Sequence, residues 1–253
     1  MSDTNNYLRD IKERKKNGEY YTPTSFVNIS HQYIDKLLTP EWINNYTVWE
    51  PSYGHGNLTK TLKFKNLYCS TLYQNDIDYT NEHNINPEAI KFQFDFLNEP
   101  IEKIPQTLLN DLTNNKPFIF YLNPPYGTPQ SLTTGGFISN NDSLHKDTHS
   151  VIREEMKRYK YGICSVDLMD QFIYRLIKIK RMFKLTNCYI FIFVSGSFIM
   201  TVSHSKLRNL LLNNFNYLNG FVFPMRAFDN IDSTMCNVMF LMFKSKNEEL
   251  VYL

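Results

Sequence analysis

The clearest chemistry in the sequence belongs to Asn123-Pro124-Pro125-Tyr126, which directly follows the apolar run Pro117-Phe-Ile-Phe-Tyr-Leu122. A short β-rich run halted by a double proline reads as a buried strand that ends at a rigid loop. Ligands of open α/β sheets bind at that strand edge, so the loop presents an amide, two fixed carbonyls and an aromatic ring to a cleft. Proline keeps its carbonyl but has no N–H. Asn123 and Pro124 can therefore both aim acceptors at a planar NH2 group while Tyr126 stacks on its plane. The set suits a planar amine or amide. The same tetrapeptide also reads as a plain strand-ending turn, since Asn-Pro and Pro-Pro are ordinary turn signals.

Other polar residues fall at expected strand ends. Thr47-Val-Trp-Glu50 reads as a short strand, and Pro51-Ser-Tyr-Gly-His-Gly-Asn57 as a glycine-containing loop opening onto a helix near Leu58. Gly54 and Gly56 let the backbone approach a ligand, and Glu50 disfavours a phosphate and matches a cation. A single Gly-x-Gly also serves purely steric needs in many such turns. Ser70-Thr-Leu-Tyr-Gln-Asn75 reads as the next strand and ends in Asp76-Ile77-Asp78. That places a carboxylate about twenty residues after the glycine loop, where it can accept from a ribose diol, or serve as an ordinary surface-turn acid. Ala89-Ile-Lys-Phe-Gln-Phe94 alternates as a third strand and ends in Asp95-Phe96, an acceptor for an adenine amino group beside a ring. Thr22 before Pro23 gives a fixed turn with a hydroxyl, or simply a helix N-cap.

The elements that must carry these groups follow from periodicity. A charged helix is expected over Tyr7 to Lys16, and an amphipathic helix from Ser25 to Leu38. Another runs from Asp167 to Phe183, with Leu168, Phe172, Leu176 and Ile179 near one face. Cys188 to Val194 is a fully apolar strand, Ser205 to Phe215 a helix, and Gly220 to Phe223 and Asn237 to Phe243 the last strands. Strands and helices alternate throughout, which predicts an α/β fold with a mostly parallel sheet covered on both faces and a final hairpin. Residues from Gly127 to Gly162 are polar and too many for an ordinary connection. Within that stretch, Arg153 to Lys160 reads as a short basic helix facing either a polyanion or solvent.

At 253 residues and 42% hydrophobic, the chain can bury one full core, so one domain over 1–253 is expected, with a polar insertion at about 127–162. A net charge of +2 is too balanced for coating nucleic acid by charge alone, and any basic surface must be local. Cys69, Cys164, Cys188 and Cys236 lie far apart, which predicts buried thiols rather than a zinc set or a disulfide framework. His145 and His149 lie one helical turn apart but lack a nearby third ligand, so no metal is expected. The N-terminus lacks a signal pattern and no stretch is long and apolar enough to span a bilayer, which predicts an intracellular protein without membrane contact. The last strand ends close to the C-terminus, so the choice of target is expected to rest on the insertion.

Taken in order from Gly18 to Phe243, these residues resemble the S-adenosylmethionine-dependent adenine-N6 methyltransferases, the amino-methyltransferase group. Gly18-Glu-Tyr-Tyr-Thr-Pro23 is similar to the group's first cofactor motif, the loop from Glu50 to Asn57 to its glycine motif, and Asn123-Pro-Pro-Tyr126 to its catalytic motif. Ser195-Gly-Ser-Phe198, the helix around Lys206-Leu-Arg208, and Phe223-Pro-Met-Arg-Ala-Phe228 resemble its later motifs. The resemblance implies a Rossmann-like methyltransferase fold with a seven-stranded sheet. It implies S-adenosylmethionine held by Tyr21, Thr22, Pro23, Glu50, Pro51, Gly54, Gly56, Asp76, Ile77, Asp95 and Phe96. Catalysis falls to Asn123, Pro124, Pro125 and Tyr126. An extruded adenine would stack on Tyr126 and Phe228, with Phe223 in reserve, while Arg153, Lys157 and Arg158 position a nucleic-acid backbone. DNA is the expected substrate ahead of RNA, a protein glutamine amide is chemically equivalent, and a companion subunit is the expected source of sequence readout. An inactive binding subunit is the opposing reading, against which Glu50, Asp76, Asp95 and Asn123 are all intact. The departures are Glu50, where Asp is also common, and the lack of an evident target-recognition domain.

Overall fold

The computed structural model describes residues 20–126, 150–227 and 237–247; the expected helix over Tyr7 to Lys16, His145, His149, Phe228 and Cys236 lie outside them. In chain order the first half contains α1 (Thr24–Leu38), α2 (Trp42–Asn45), β1 (Thr47–Glu50), β2 (Leu67–Thr71), α3 (Gln74–Glu82), β3 (Ile90–Gln93), α4 (Gln106–Thr113) and β4 (Phe118–Leu122). The second half contains α5 (Val151–Arg158), α6 (Leu168–Met182), β5 (Cys188–Ser195), α7 (Ser197–Met200), α8 (Ser205–Asn214), β6 (Phe215–Pro224) and β7 (Asn237–Ser245).

The strands form one seven-stranded sheet in the order β3-β2-β1-β4-β5-β7-β6. Pairings from β3 through β5 are parallel. β7 inserts antiparallel between β5 and β6, giving the expected terminal hairpin. Every residue of β1, β2 and β4 is buried, as continuous apolar strands require when both faces of a parallel sheet are covered. β6 is one edge of the sheet and is largely exposed. There Gly220 is required by close approach: a Cβ at that position would sit 2.2 Å from the Phe240 carbonyl oxygen, next to a register shift at Tyr217/Asn219.

α1 positions two parts of the cleft at once. Its buried face is Val27, Ser30, His31 and Ile34, the helical 3–4 spacing. The Ser30 hydroxyl lies 2.6 Å from the Tyr121 hydroxyl on β4, and His31 Nε2 donates to the Leu58 carbonyl at 2.9 Å.

Two expected elements differ. The second strand is Leu67–Thr71, not Ser70 to Asn75, because Leu67, Tyr68 and Cys69 are the residues that pair with β1 and bury, whereas Leu72 is 48% exposed. No helix opens near Leu58. Residues 57–62 form turns instead, with the Thr59 and Lys60 amides both donating to the Gly56 carbonyl. The Thr59 hydroxyl donates to Glu50, and Asn86 donates to that hydroxyl, which holds the segment in turns through side chains rather than a helical ladder.

Candidate active site

β1 and β4 are neighbours, and the strand order reverses between them. This is the topological switch point at which open α/β sheets bind ligands, and Glu50 and Asn123 stand at its two strand ends. Glu50 is 1% exposed and accepts a 2.8 Å hydrogen bond from the Thr59 hydroxyl. Burial pushes its carboxyl well above the usual carboxylate range, and the Thr59 bond only partly opposes that. A buried carboxyl with a neutral hydroxyl for a partner can take up a cation once ionised.

Asn123 is held by the segment that precedes α1. Its Nδ2 donates to the Tyr20 carbonyl at 2.8 Å and to the Thr22 hydroxyl at 3.0 Å. With both amide protons engaged, Oδ1 is left as the acceptor, and it receives the Tyr126 hydroxyl at 2.6 Å. Thr22 therefore orients the amide rather than capping α1, and Pro23 takes the cap position with its carbonyl accepting from Phe26 and Val27. Tyr126 is 6% exposed, and its ring lies 6.2 Å from that of Tyr20 at 27°. Burial raises its phenol pKa, which keeps the hydroxyl a donor to Asn123. Pro124 is buried and Pro125 half-buried beside them.

The glycine loop closes against rings. Gly56 has φ +71°, and a Cβ there would meet the Tyr53 ring at 2.8 Å, so the position requires glycine on both counts. At Gly54 a Cβ would meet Tyr21 at 3.3 Å. Pro51 is buried at the start of the loop. Between the glycines, His55 packs at 4.7 Å on Tyr21 and at 4.1 Å on Tyr79. Its Nε2 lies 3.6 Å from Asp76 Oδ1. Asp76 is in the first turn of α3 rather than at a strand end, 2% exposed, with Oδ2 accepting from the Thr71 hydroxyl at 2.6 Å. Ile77 is buried beside it.

Asp95 caps its own turn, accepting at Oδ1 from the Leu97 and Asn98 amides and at Oδ2 from Asn98 Nδ2. Phe96 is 3% exposed, stacked on Phe172 at 4.8 Å and edge-on to Trp49. Its ring is part of the core. Phe223 is likewise covered, stacked on Phe26 at 3.8 Å. Arg153, Lys157 and Arg158 fall on α5 as expected, but the helix also carries Glu154, which pairs with Lys157 at 2.8 Å. Glu155 pairs with Lys178 on α6. The Ser195-Gly-Ser-Phe198 motif turns off the end of β5, and Arg208 of α8 donates to the Phe198 and Thr201 carbonyls to hold it.

The structure thus brings Tyr20, Thr22, Asn123 and Tyr126 together, with Glu50 at the neighbouring strand end and Tyr21, Gly54, His55 and Asp76 grouped at the glycine loop. Tyr20 and His55 went unread in the sequence. Tyr20 acts through a backbone carbonyl, which no residue type signals, and His55 had only its place between two glycines.

No protein-family model matches the sequence. No curated protein matches it either. Among solved structures, the fold is shared with DrdV in its complex with DNA, at 13% identity and a TM-score of 0.63, over 94% of this chain and 27% of that one. It is shared with a type I restriction-modification system methyltransferase subunit from Streptococcus thermophilus, at 14% identity and a TM-score of 0.57, over 89% of this chain and 44% of that one. The 23S rRNA methyltransferase ErmE follows at 11% identity and a TM-score of 0.51, over 92% of this chain and 72% of that one. The chain spans less than half the length of the first two. The fold is the Rossmann-like one of S-adenosylmethionine-dependent methyltransferases.

Proposed function

We propose that this protein transfers a methyl group from S-adenosylmethionine to the N6 amino group of adenine in DNA, with the target base flipped out of the helix into the Asn-Pro-Pro-Tyr loop. The observation that carries the reading is the Asn123 amide, whose two protons are tied to Tyr20 and Thr22 so that Oδ1 is left as the acceptor at the switch point, now taken by the Tyr126 hydroxyl. The fit of the cofactor rests on Glu50, a buried carboxylate with a neutral partner, which suits the cationic methionyl end of S-adenosylmethionine. Gly54 and Gly56 shape the loop beside it, while Asp76 and Asp95, which already accept from Thr71 and from the Leu97 and Asn98 amides, would supply further acceptors for its ribose and adenine. When bound, the sulfonium supplies an already activated methyl group.

The adenine amino nitrogen is a poor nucleophile because its lone pair is delocalised into the ring. Asn123 Oδ1 and the Pro124 carbonyl would accept its two N–H groups, favour a pyramidal nitrogen and stabilise the positive charge that grows on it. Tyr126 donates to Oδ1 in this structure, so it must give up that bond as the base arrives and then offer its ring for stacking. Alignment and exclusion of water do the rest, and no covalent enzyme intermediate is required.

DNA as substrate, and a companion subunit as the source of sequence readout, accord with the DNA-bound and restriction-modification proteins whose fold the chain shares. The test is incubation with methyl-labelled S-adenosylmethionine and separate DNA, RNA and protein pools, followed by identification of the labelled atom. Label at adenine N6 of DNA is the expected result. Label only in RNA or at a glutamine amide would move the substrate, and none in any pool, with or without a partner, would overturn the activity.

A further inference from the structure

Away from the cleft, three side chains that are distant in sequence meet in the interior. They are Cys164 in the turn Gly162–Ser165, Asp170 in the first turn of α6, and His204 in the turn Val202–His204. One ligand-type atom from each lies within 4.8 Å of the others, and all three residues are buried. Asp170 is 0% exposed, and its carboxylate faces the His204 imidazole and the Cys164 thiol. His204 Nε2 lies 3.1 Å from Oδ2, close enough to pair with the carboxylate when the imidazole is protonated. A buried carboxylate needs a positive partner, and a cation shared with all three side chains would supply one in place of the imidazole's proton.

The donor set selects the cation. A thiolate, an imidazole and a carboxylate together favour zinc over the harder magnesium and calcium, which take oxygen ligands. His204 is prepared for the role at its other nitrogen: Nδ1 lies 2.5 Å from the Thr201 hydroxyl and 3.2 Å from that of Ser203. That is the outer contact a metal-binding histidine uses to fix its tautomer and leave Nε2 for the metal. Tetrahedral zinc places such ligand atoms about 3.3–3.8 Å apart. The cluster would therefore contract by about 1 Å at its widest.

We propose that Cys164, Asp170 and His204 form a site for a zinc-class divalent cation, with a solvent oxygen completing the tetrahedron. Binding displaces the thiol proton to solvent and leaves the metal on the thiolate, the Asp170 carboxylate and neutral His204. The site is structural. It ties the turn that precedes α6 to the segment after β5, the segment Arg208 also holds. This departs from the expectation of no metal, which rested on close sequence spacing; positions 164, 170 and 204 converge only through the fold.

The test is independent of methyl transfer. Zinc content is measured on the full chain as purified, and then by titration after chelation. The expected result is about one equivalent per chain, a melting temperature raised by zinc, and, on replacement with cobalt, a near-ultraviolet thiolate-to-metal absorption band. Cys164→Ser and His204→Gln should each weaken zinc binding at least about tenfold and abolish the rise in melting temperature. The wild-type cobalt spectrum keeps the test decisive if a variant fails to fold. Wild-type protein that takes up no zinc, shows no thiolate band, or binds zinc as tightly after either substitution would overturn the site.

Discussion

Asn123 combines a fixed donor side with an acceptor oxygen that Tyr126 occupies, and the two have separable consequences. Removing the amide removes an acceptor that acts on charge present only in the transition state. Asn123→Ala is expected to lower single-turnover methylation at least about a hundredfold while leaving S-adenosylmethionine affinity nearly unchanged, checked by rapid quench and by titration calorimetry. Glu50 gives the complementary case, because its burial acts on stability. Its folded-state pKa is raised, so the native state holds the proton after the unfolded chain has released it. Stability therefore falls as pH rises from the ordinary glutamate pKa toward the raised one, and the loss remains above it. Glu50→Gln abolishes that slope. Thermal melts at a pH near the ordinary glutamate pKa and at one well above it should show the variant gaining on the wild type at the higher value while its cofactor affinity falls. A variant that tracks the wild type at both pH values would mean that the buried carboxylate is already compensated.

At the scale of elements, what was legible followed from pattern, and what was not followed from pairing. The run Phe118 to Leu122 and the amphipathic spacing Leu168, Phe172, Leu176, Ile179 carry their own periodicity, and β4 and α6 form where that periodicity puts them. The start of the Asn-Pro-Pro-Tyr loop, at the end of β4, was readable for the same reason. β2 was displaced because two overlapping windows, Leu67 to Thr71 and Ser70 to Asn75, have similar propensity, and only register against Val48 and Glu50 chooses between them. That choice moved Asp76 off the strand end and into α3. Phe96 and Phe223 read as candidate contacts because aromatic rings near strand ends look alike in sequence; their stacking on Phe172 and Phe26 is a tertiary fact. The edge hairpin supplies a test of packing at this scale. Gly220→Ala must push a Cβ against the Phe240 carbonyl, now at 2.2 Å, and the strands have to part. The expected cost is about 1–3 kcal/mol, read as a lower midpoint in urea, with little effect on cofactor affinity.

For the whole molecule, the balance of charge decides how a polyanion is met. A net charge of +2 leaves no general attraction, so binding must come from a local set of cations and must be weak and strongly dependent on salt. α5 is the described element on which the expected contacts fall, and its cations are not equivalent. Lys157 is already paired with Glu154 at 2.8 Å, so it has less charge to offer a phosphate than Arg158, which is exposed at the helix end. Phosphate contacts carry affinity and little sequence information, which is why a partner subunit is the proposed source of readout. Replacing Arg158 by Ala should lower the slope of log affinity against log salt by close to one unit, the effect of one lost phosphate contact. Lys157→Ala should lower it by less, and Glu154→Gln should raise it by freeing the lysine. Fluorescence anisotropy with duplex and single-stranded DNA across a salt series reads all three. If the three variants keep the wild-type slope, α5 does not face the backbone. If the wild type binds neither DNA nor RNA at low salt, the planar group offered to Asn123 is supplied by a protein glutamine, or by a nucleic acid delivered in the grip of another chain.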